Sequence, residues 1–302
     1  VSVGLAYGIG GALAAAGVVV SFLYTGSAMA TTAIGTLIPI LRDNGELKTR
    51  FGTFLLAAGA AGEFGPILLI TLVLSAKQPL HEALILIGFV AIALALALAS
   101  VRLAWRGWPA LERTFEASSQ LAVRITVVLV FGLVLLASEL GLDVLLGGFV
   151  AGMIVRMALK GRELAVFESK LTAVGFGFFV PFFFVTSGIE FDLGALGSAE
   201  ALAKLALFFG LFLVVRGAPA LLLYRGVLAA RDRAALAFYS ATELPLVVAI
   251  TTLAVDGGHM KSSTAAGLVG AAMLSTLVFP FIGLALRKGS EAEQGETARA
   301  TA

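Results

Sequence analysis

The sequence predicts an all-α polytopic membrane protein organised around two interrupted helices, and three observations carry this. Of 302 residues, 59% are hydrophobic and only 13% charged, with a mean hydropathy of +1.01, far from the composition of soluble globular domains. The apolar residues fall into ten runs of membrane-crossing length or close to it. Three charges, Glu63, Arg216 and Glu243, lie well inside those runs.

Composition also excludes. There is no cysteine, so disulfides, thiolate metal sites and cysteine nucleophiles are ruled out. Both histidines, His81 and His259, stand at run ends, so zinc or haem chemistry is not expected and no cofactor is predicted. The net charge of +2 is spread over short loops, where it sets membrane orientation rather than nucleic-acid binding. No basic segment with a cleavage site precedes the first run, so no signal peptide is expected. Val1 in place of methionine points to a fragment or a non-AUG start.

The runs cover residues 1–21, 24–41, 51–76, 80–103, 121–140, 144–159, 171–189, 201–224, 234–255 and 264–286. The first two are separated only weakly, with residues 22–27 as the sole turn candidate. Residues 287–302 are polar and read as a disordered cytoplasmic tail. Basic residues alternate sharply between successive loops. Arg42, Lys48, Arg50, Arg102, Arg106, Arg113, Arg124, Arg156, Lys160, Arg162, Lys170, Arg225, Arg231, Arg233, Arg287, Lys288 and Arg299 share one side, against Lys77, Lys204 and Lys261 on the other. By the positive-inside rule the first side is cytoplasmic and the C-terminal tail lies inside.

Glu63 sits near the middle of the third run. A carboxylate there costs about 2.5–3.5 kcal/mol to insert, so something must offset it. Pro66 lacks an N–H for the carbonyl of Gly62, leaving a bare oxygen beside the carboxylate. Carboxylate and carbonyl make a candidate cation or proton site; the alternative is a structural hydrogen bond to a neighbouring helix. Arg216 lies nine residues before Arg225, about 13 Å along a helix, too deep to snorkel, so a buried partner is expected. Pro219 frees the carbonyl of Val215 beside it. In the ninth run Tyr239, Thr242 and Glu243 share a helical face, and Pro245 releases the carbonyl of Ala241. The second run has the same character, with Thr31 and Thr32 ahead of Gly35, whose carbonyl is released by Pro39. Pro39, Pro66 and Pro245 are thus read as helix breaks. Glu139 with Asp143, and Glu190 with Asp192, flank outside turns and read as packing or mouth residues.

Interruptions at corresponding places in two halves mark an inverted-repeat transporter. Residues 1–76 then form the rest of a first repeat, 80–103 a linker helix and 121–286 a second repeat. Three spans precede the Arg216 span in the second unit and none precedes the first span in the other, so about three N-terminal spans are expected to be missing.

The stretch ATTAIGTLIPILRDNGELKTRFG leading into AAGEFGPILLI, followed by LLGGFVAGMIV and VPFFFVTSGIEFDLGAL, resembles in order and spacing the monovalent cation:proton antiporters of the Kef-like sodium/proton exchanger superfamily. The resemblance implies an inverted-repeat antiporter fold with two broken crossing helices over residues 1–286, exchange of H+ for Na+ or K+, a homodimer in the bacterial plasma membrane, and no enzyme activity. It places Glu63 at the essential carboxylate, Thr31 and Thr32 at the unwound crossover, Arg216 at the membrane-embedded basic residue and Glu243 in the second broken helix. The family commonly has Asp-Asp or Gln-Asp where this chain has Gly62-Glu63. A single carboxylate fits electroneutral exchange, although Glu243 could restore a second. No Kef-type nucleotide-binding domain fits in residues 287–302, so gating through one is not expected of this chain.

The expected mechanism is competition: Glu63 holds a proton or a cation, with Thr31, Thr32 and freed carbonyls completing an oxygen shell. No resident metal is implied beyond the transported ion. Arg216 pairs with Glu243, the favoured option, or with Glu63. A channel or facilitator without obligatory proton exchange is the nearest rival function.

Overall fold

Every regular element among the described residues is helical. The computed structural model describes residues 1–74, 79–105, 120–142, 144–159, 161–191 and 193–300. Lys77, Arg106, Arg113, Asp143, Lys160 and Asp192, used in the charge reading, lie outside them. Residues 1–70 with 191–302 pack as one unit, and 71–190 as another.

In the first unit α1 (Ser2–Ala15), α2 (Phe22–Met29), α3 (Ile34–Asp43) and α4 (Arg50–Leu74) come from the N-terminal stretch. The boundary between α1 and α2 is not the turn predicted at 22–27, which is helical. It lies just before, where Gly17 takes φ +72° and the Val18 N–H bonds the carbonyl of Leu13. That left-handed residue closes the helix end, a conformation glycine adopts without a Cβ clash. Helices α1 and α2 then pack through small residues. A Cβ at Gly10 would stand 2.8 Å from the Phe22 carbonyl, and the Tyr7 hydroxyl meets Ser27 Oγ at 2.7 Å. In lipid such close approach, rather than hydrophobic contrast, drives helix association.

The second unit holds α5 (Pro79–Trp105), α6 (Leu121–Glu139), α7 (Val144–Ala158), α8 (Gly161–Val174) and α9 (Val180–Glu190). Phe89, Ala93 and Ala97 line one face of α5 and share a core with Leu133 and Ala137 of α6 and with Leu146, Val150 and Ile154 of α7. At Gly147 the backbone of α7 approaches α6 so closely that a Cβ would strike the Leu133 carbonyl. Helices α8 and α9 are joined without a break by a π-helical turn, Gly175–Phe179, two residues before Pro181.

The first unit resumes with α10 (Ala199–Phe212), a second π-helical turn at Leu213–Gly217, α11 (Ala218–Leu223), α12 (Ala230–Ser240), α13 (Pro245–Asp256) and α14 (Ser262–Ala300). This π turn also ends two residues before a proline, Pro219. A proline cannot donate to the preceding turn and its ring crowds that turn's carbonyl, so the helix widens there. Among the described residues six stretches are long and apolar enough to cross a membrane: Leu84–Arg102, Leu121–Glu139, Leu164–Ile189, Ala199–Leu223, Ala230–Asp256 and Ser262–Gly289; Ser2–Ala15 and Leu146–Ala158 are shorter apolar helices. The run at 24–41 is the pair α2 and α3, interrupted, and the run at 51–76 is α4.

The tail departs from expectation. Instead of becoming disordered at residue 287, α14 continues to Ala300, in a segment rich in Ala, Glu, Lys and Arg, which favour helix without needing an apolar face. Arg287 is not a loop charge either. It is buried, with Nε 2.6 Å from Glu46 Oε1 and Nη1 2.6 Å from Asp232 Oδ1, while its guanidinium lies 4.5 Å from the centre of the Phe51 ring. One cation thereby ties the turn after α3, the start of α12 and the body of α14.

Candidate functional site

Two helices open where they meet. Residues 30–33 separate α2 from α3, and residues 241–244 separate α12 from α13. The open segments satisfy each other: the Ala33 N–H donates to the Thr242 carbonyl at 2.8 Å, and Thr32 Oγ1 donates to the Ser240 carbonyl at 2.6 Å. Irregular backbone at membrane depth survives only where protein partners supply such bonds.

The two breaks have different local causes. Pro245 is the first residue of α13 and offers no N–H to Ala241, so the second break falls where a proline predicts it. The first does not. Pro39 lies inside α3 and Pro66 inside α4, and neither interrupts its helix. A mid-helix proline loses one bond and kinks, but neighbouring helices can absorb that in a membrane. The chain opens at Thr31 and Thr32, where the Thr32 hydroxyl and the next N–H, that of Ala33, are drawn into bonds with Ser240 and Thr242. Thr31 Oγ1 lies 3.0 Å from the Ala28 carbonyl and 3.3 Å from Glu243 Oε2.

Arg216 stands in the π-helical turn and is 7% exposed. Its Nε and Nη2 donate to Thr32 Oγ1 at 2.9 and 2.6 Å, Nη2 also to the Ala58 carbonyl at 3.2 Å, and Nε to the Ser240 carbonyl at 3.4 Å. It forms no salt bridge with Glu243 or Glu63. Its hydrogen bonds go to neutral oxygens instead. Thr32 Oγ1, giving one hydrogen bond and accepting two, is fully occupied. Helix α4 reaches this point because it presents glycine. A Cβ at Gly59 would overlap Ile34, and one at Gly62 would overlap Arg216 Nη2.

Glu243 has no exposure. Its N–H donates to Ser275 Oγ at 3.0 Å and its carbonyl accepts from Thr276 Oγ1 at 3.0 Å. One carboxylate oxygen faces Thr31, and the other, Oε1, has no hydrogen-bond partner among the described residues, as is also true of the buried hydroxyls of Thr25, Thr36 and Ser240. The charges suit the opened helix ends: Arg216 lies against the carboxyl end of α12, and Glu243 just before the amino end of α13, which opposes the partial charge at each.

Glu63 follows Gly62 on α4 and lies one turn after Gly59. It is half-buried, and among the described residues no hydrogen bond or ion pair reaches its carboxylate. The structure thus gathers Thr31, Thr32, Arg216 and Glu243 into one cluster, with Glu63 on the helix pressed against it. Ser275, Thr276 and the Ala58 carbonyl were missed in the sequence; the adjacent hydroxyls of Ser275 and Thr276 midway along an apolar run are the signal that was there.

A family model described as sodium/hydrogen exchanger, transmembrane, matches residues 1–286. YjbQ of Bacillus subtilis (strain 168), provisionally named a Na(+)/H(+) antiporter, is 23% identical over 270 residues, covering 87% of this chain and 42% of YjbQ. The Na(+)/H(+)-K(+) antiporter GerN of Bacillus cereus is 26% identical over 179 residues, 58% of this chain and 45% of GerN. The Probable Na(+)/H(+) antiporter 3 of Methanocaldococcus jannaschii is 24% identical over 176 residues, 54% of this chain and 42% of its own. The chain spans less than half the length of these relatives.

Proposed function

The chain belongs to the sodium/hydrogen exchanger family of transmembrane proteins, a transporter family rather than an enzyme family, and from that premise we propose that it exchanges protons for a monovalent cation, Na+ or K+, by alternating access. One observation carries the proposal. Two opened helices cross around a fully buried carboxylate, and the neighbouring helix offers a second carboxylate, Glu63, with no partner among the described residues.

An unpartnered carboxylate at membrane depth is expensive unless it binds something. Glu63 takes either a proton or the cation, and since one site serves both, loading one displaces the other. Thr31, which keeps lone pairs free, the unpartnered Oε1 of Glu243 and the opened carbonyls are the oxygens available to the ion. Thr32 and Arg216 are not; they occupy each other, and their role is to hold the crossing and balance its charge. This revises the shell expected from the sequence, which included Thr32. A single titrating carboxylate at Glu63 fits one-for-one electroneutral exchange, while a Glu243 that also titrates would supply a second charge.

The same premise supports two inverted repeats related through the crossing helices, with α5 as the linker. It supports a homodimer in a bacterial plasma membrane whose basic loops and C-terminal end face the cytoplasm.

The test is proton flux by the full-length protein in proteoliposomes under imposed Na+ or K+ gradients, comparing wild type with Glu63→Gln. Cation-driven proton movement that vanishes in the variant is expected. Unchanged exchange in the variant would remove Glu63 from the mechanism, and saturating uphill exchange absent from a folded wild type would leave a channel.

A further inference from the structure

We propose that Ser275 and Thr276 of α14 are positioning residues for Glu243: they clasp its main chain and thereby aim its carboxylate into the crossing. The inference rests on the exchange reading of this site, and adds to it two side chains on a helix that contributes no charge there.

The argument begins with what does not hold the carboxylate. Among the described residues Glu243 Oε2 has one long contact, 3.3 Å to Thr31 Oγ1, and Oε1 has none. Side-chain bonds therefore fix the group weakly. The residue also lies in the break, outside both α12 and α13, so its peptide groups lack helical partners.

Helix α14 supplies them. Ser275 Oγ accepts the Glu243 N–H at 3.0 Å, and Thr276 Oγ1 donates to the Glu243 carbonyl at 3.0 Å. A serine hydroxyl has one proton, and that of Ser275 has the closer acceptor in the Ala272 carbonyl, 2.8 Å against 3.1 Å to Glu243. The division of labour is then complete, with Ser275 holding the N–H and Thr276 the carbonyl. Bonds on both sides of the Cα fix the two backbone dihedrals of residue 243, and with them the direction of the side chain. Ser275 has no exposure to solvent, so no water competes.

The full-length protein is compared as wild type, Ser275→Ala, Thr276→Val and Thr276→Ser, each first checked for monodisperse folded protein. Thr276→Val keeps the shape and removes the donor; Thr276→Ser keeps the donor. In proteoliposomes, loss of one bond raises the apparent KM for the cation about three- to tenfold in Ser275→Ala and Thr276→Val, with the maximal rate per folded molecule retained, while Thr276→Ser stays at the wild-type value. A second readout is independent of transport: modification of Glu243 by a membrane-permeant carbodiimide, measured by peptide mass. It becomes faster in Ser275→Ala and Thr276→Val and remains slow in Thr276→Ser. Wild-type KM and labelling in the two hydroxyl-less variants overturn the proposal, as does a Thr276→Ser variant impaired as much as Thr276→Val. Should wild type exchange no cation, the exchange reading falls, and the labelling comparison alone decides the clasp.

Discussion

The guanidinium of Arg216 occupies the space that a side chain at Gly62 would fill. This couples two residues far apart in the chain: the absence of a side chain on α4 lets the arginine reach the Ala58 carbonyl and both acceptors at the crossing. The space beside Gly62, the residue before Glu63, is thus filled by a positive charge supplied by another helix.

Gly62→Ala is therefore expected to displace Arg216 and cost about 1–3 kcal/mol through overpacking. Adding Arg216→Lys, with its slimmer head, should recover part of the loss. A double-mutant cycle of melting temperatures in detergent measures the coupling; strict additivity would mean that the two side chains do not compete for this space.

The two threonines should separate. Thr32→Val removes the acceptor of two arginine bonds and the donor to Ser240, leaving a buried charge short of partners, so a loss of about 3 kcal/mol is expected. Thr31→Val removes only one local bond and the long contact to Glu243, and should cost about 1 kcal/mol or less while weakening the cation dependence of flux. Equal melting temperatures for the two variants would contradict this assignment.

Arg287 carries the prediction for the other end of the unit. Its side chain is 8% exposed, with Glu46 at 5% and Asp232 at 9%. Arg287→Gln strands two buried carboxylates and should destabilise by about 3–5 kcal/mol. Neutralising all three with Glu46→Gln, Asp232→Asn and Arg287→Gln should cost less than the single change, because no buried charge is left unmatched. Thermal melts of wild type, the single variant and the triple variant decide it, and a triple variant less stable than Arg287→Gln would refute the charge argument.

Much of the crossing was legible because charges, threonines and prolines stand out in apolar runs. Glu243 with Pro245 marked the second break, and the depth of Arg216 marked a buried partner. What stayed hidden depends on contacts distant in the chain. The opening at Thr31 and Thr32, which only the family resemblance indicated, is held by Ser240 and Thr242, some 208 positions away; the proline rule by itself put the break at Pro39. The partner of Arg216 was sought among carboxylates, because a sequence shows charges but not the carbonyls of Ala58 and Ser240. Serine and threonine are ordinary packing residues in membrane helices, which concealed Ser275 and Thr276. The helical tail was missed because hydropathy, the signal that located every span, says nothing about a polar helix.

Pro219 supplies the last prediction. The π-helical turn that contains Arg216 ends two residues before it, and a proline there cannot close the bond to the Val215 carbonyl. Pro219→Ala restores that donor, so the widened turn can tighten to α geometry and rotate the segment that carries Arg216. A guanidinium bonded to Thr32 at 2.6 Å has little tolerance for such a rotation. Since alanine is favoured over proline in a helix interior by about 3 kcal/mol, the variant should melt no lower than wild type, yet its cation-coupled proton flux should fall on the order of tenfold through misplacement alone. Stability preserved with activity lost separates placement from folding. Wild-type flux in Pro219→Ala would show that Arg216 holds its position without the widened turn, leaving the π geometry as a packing consequence of the proline.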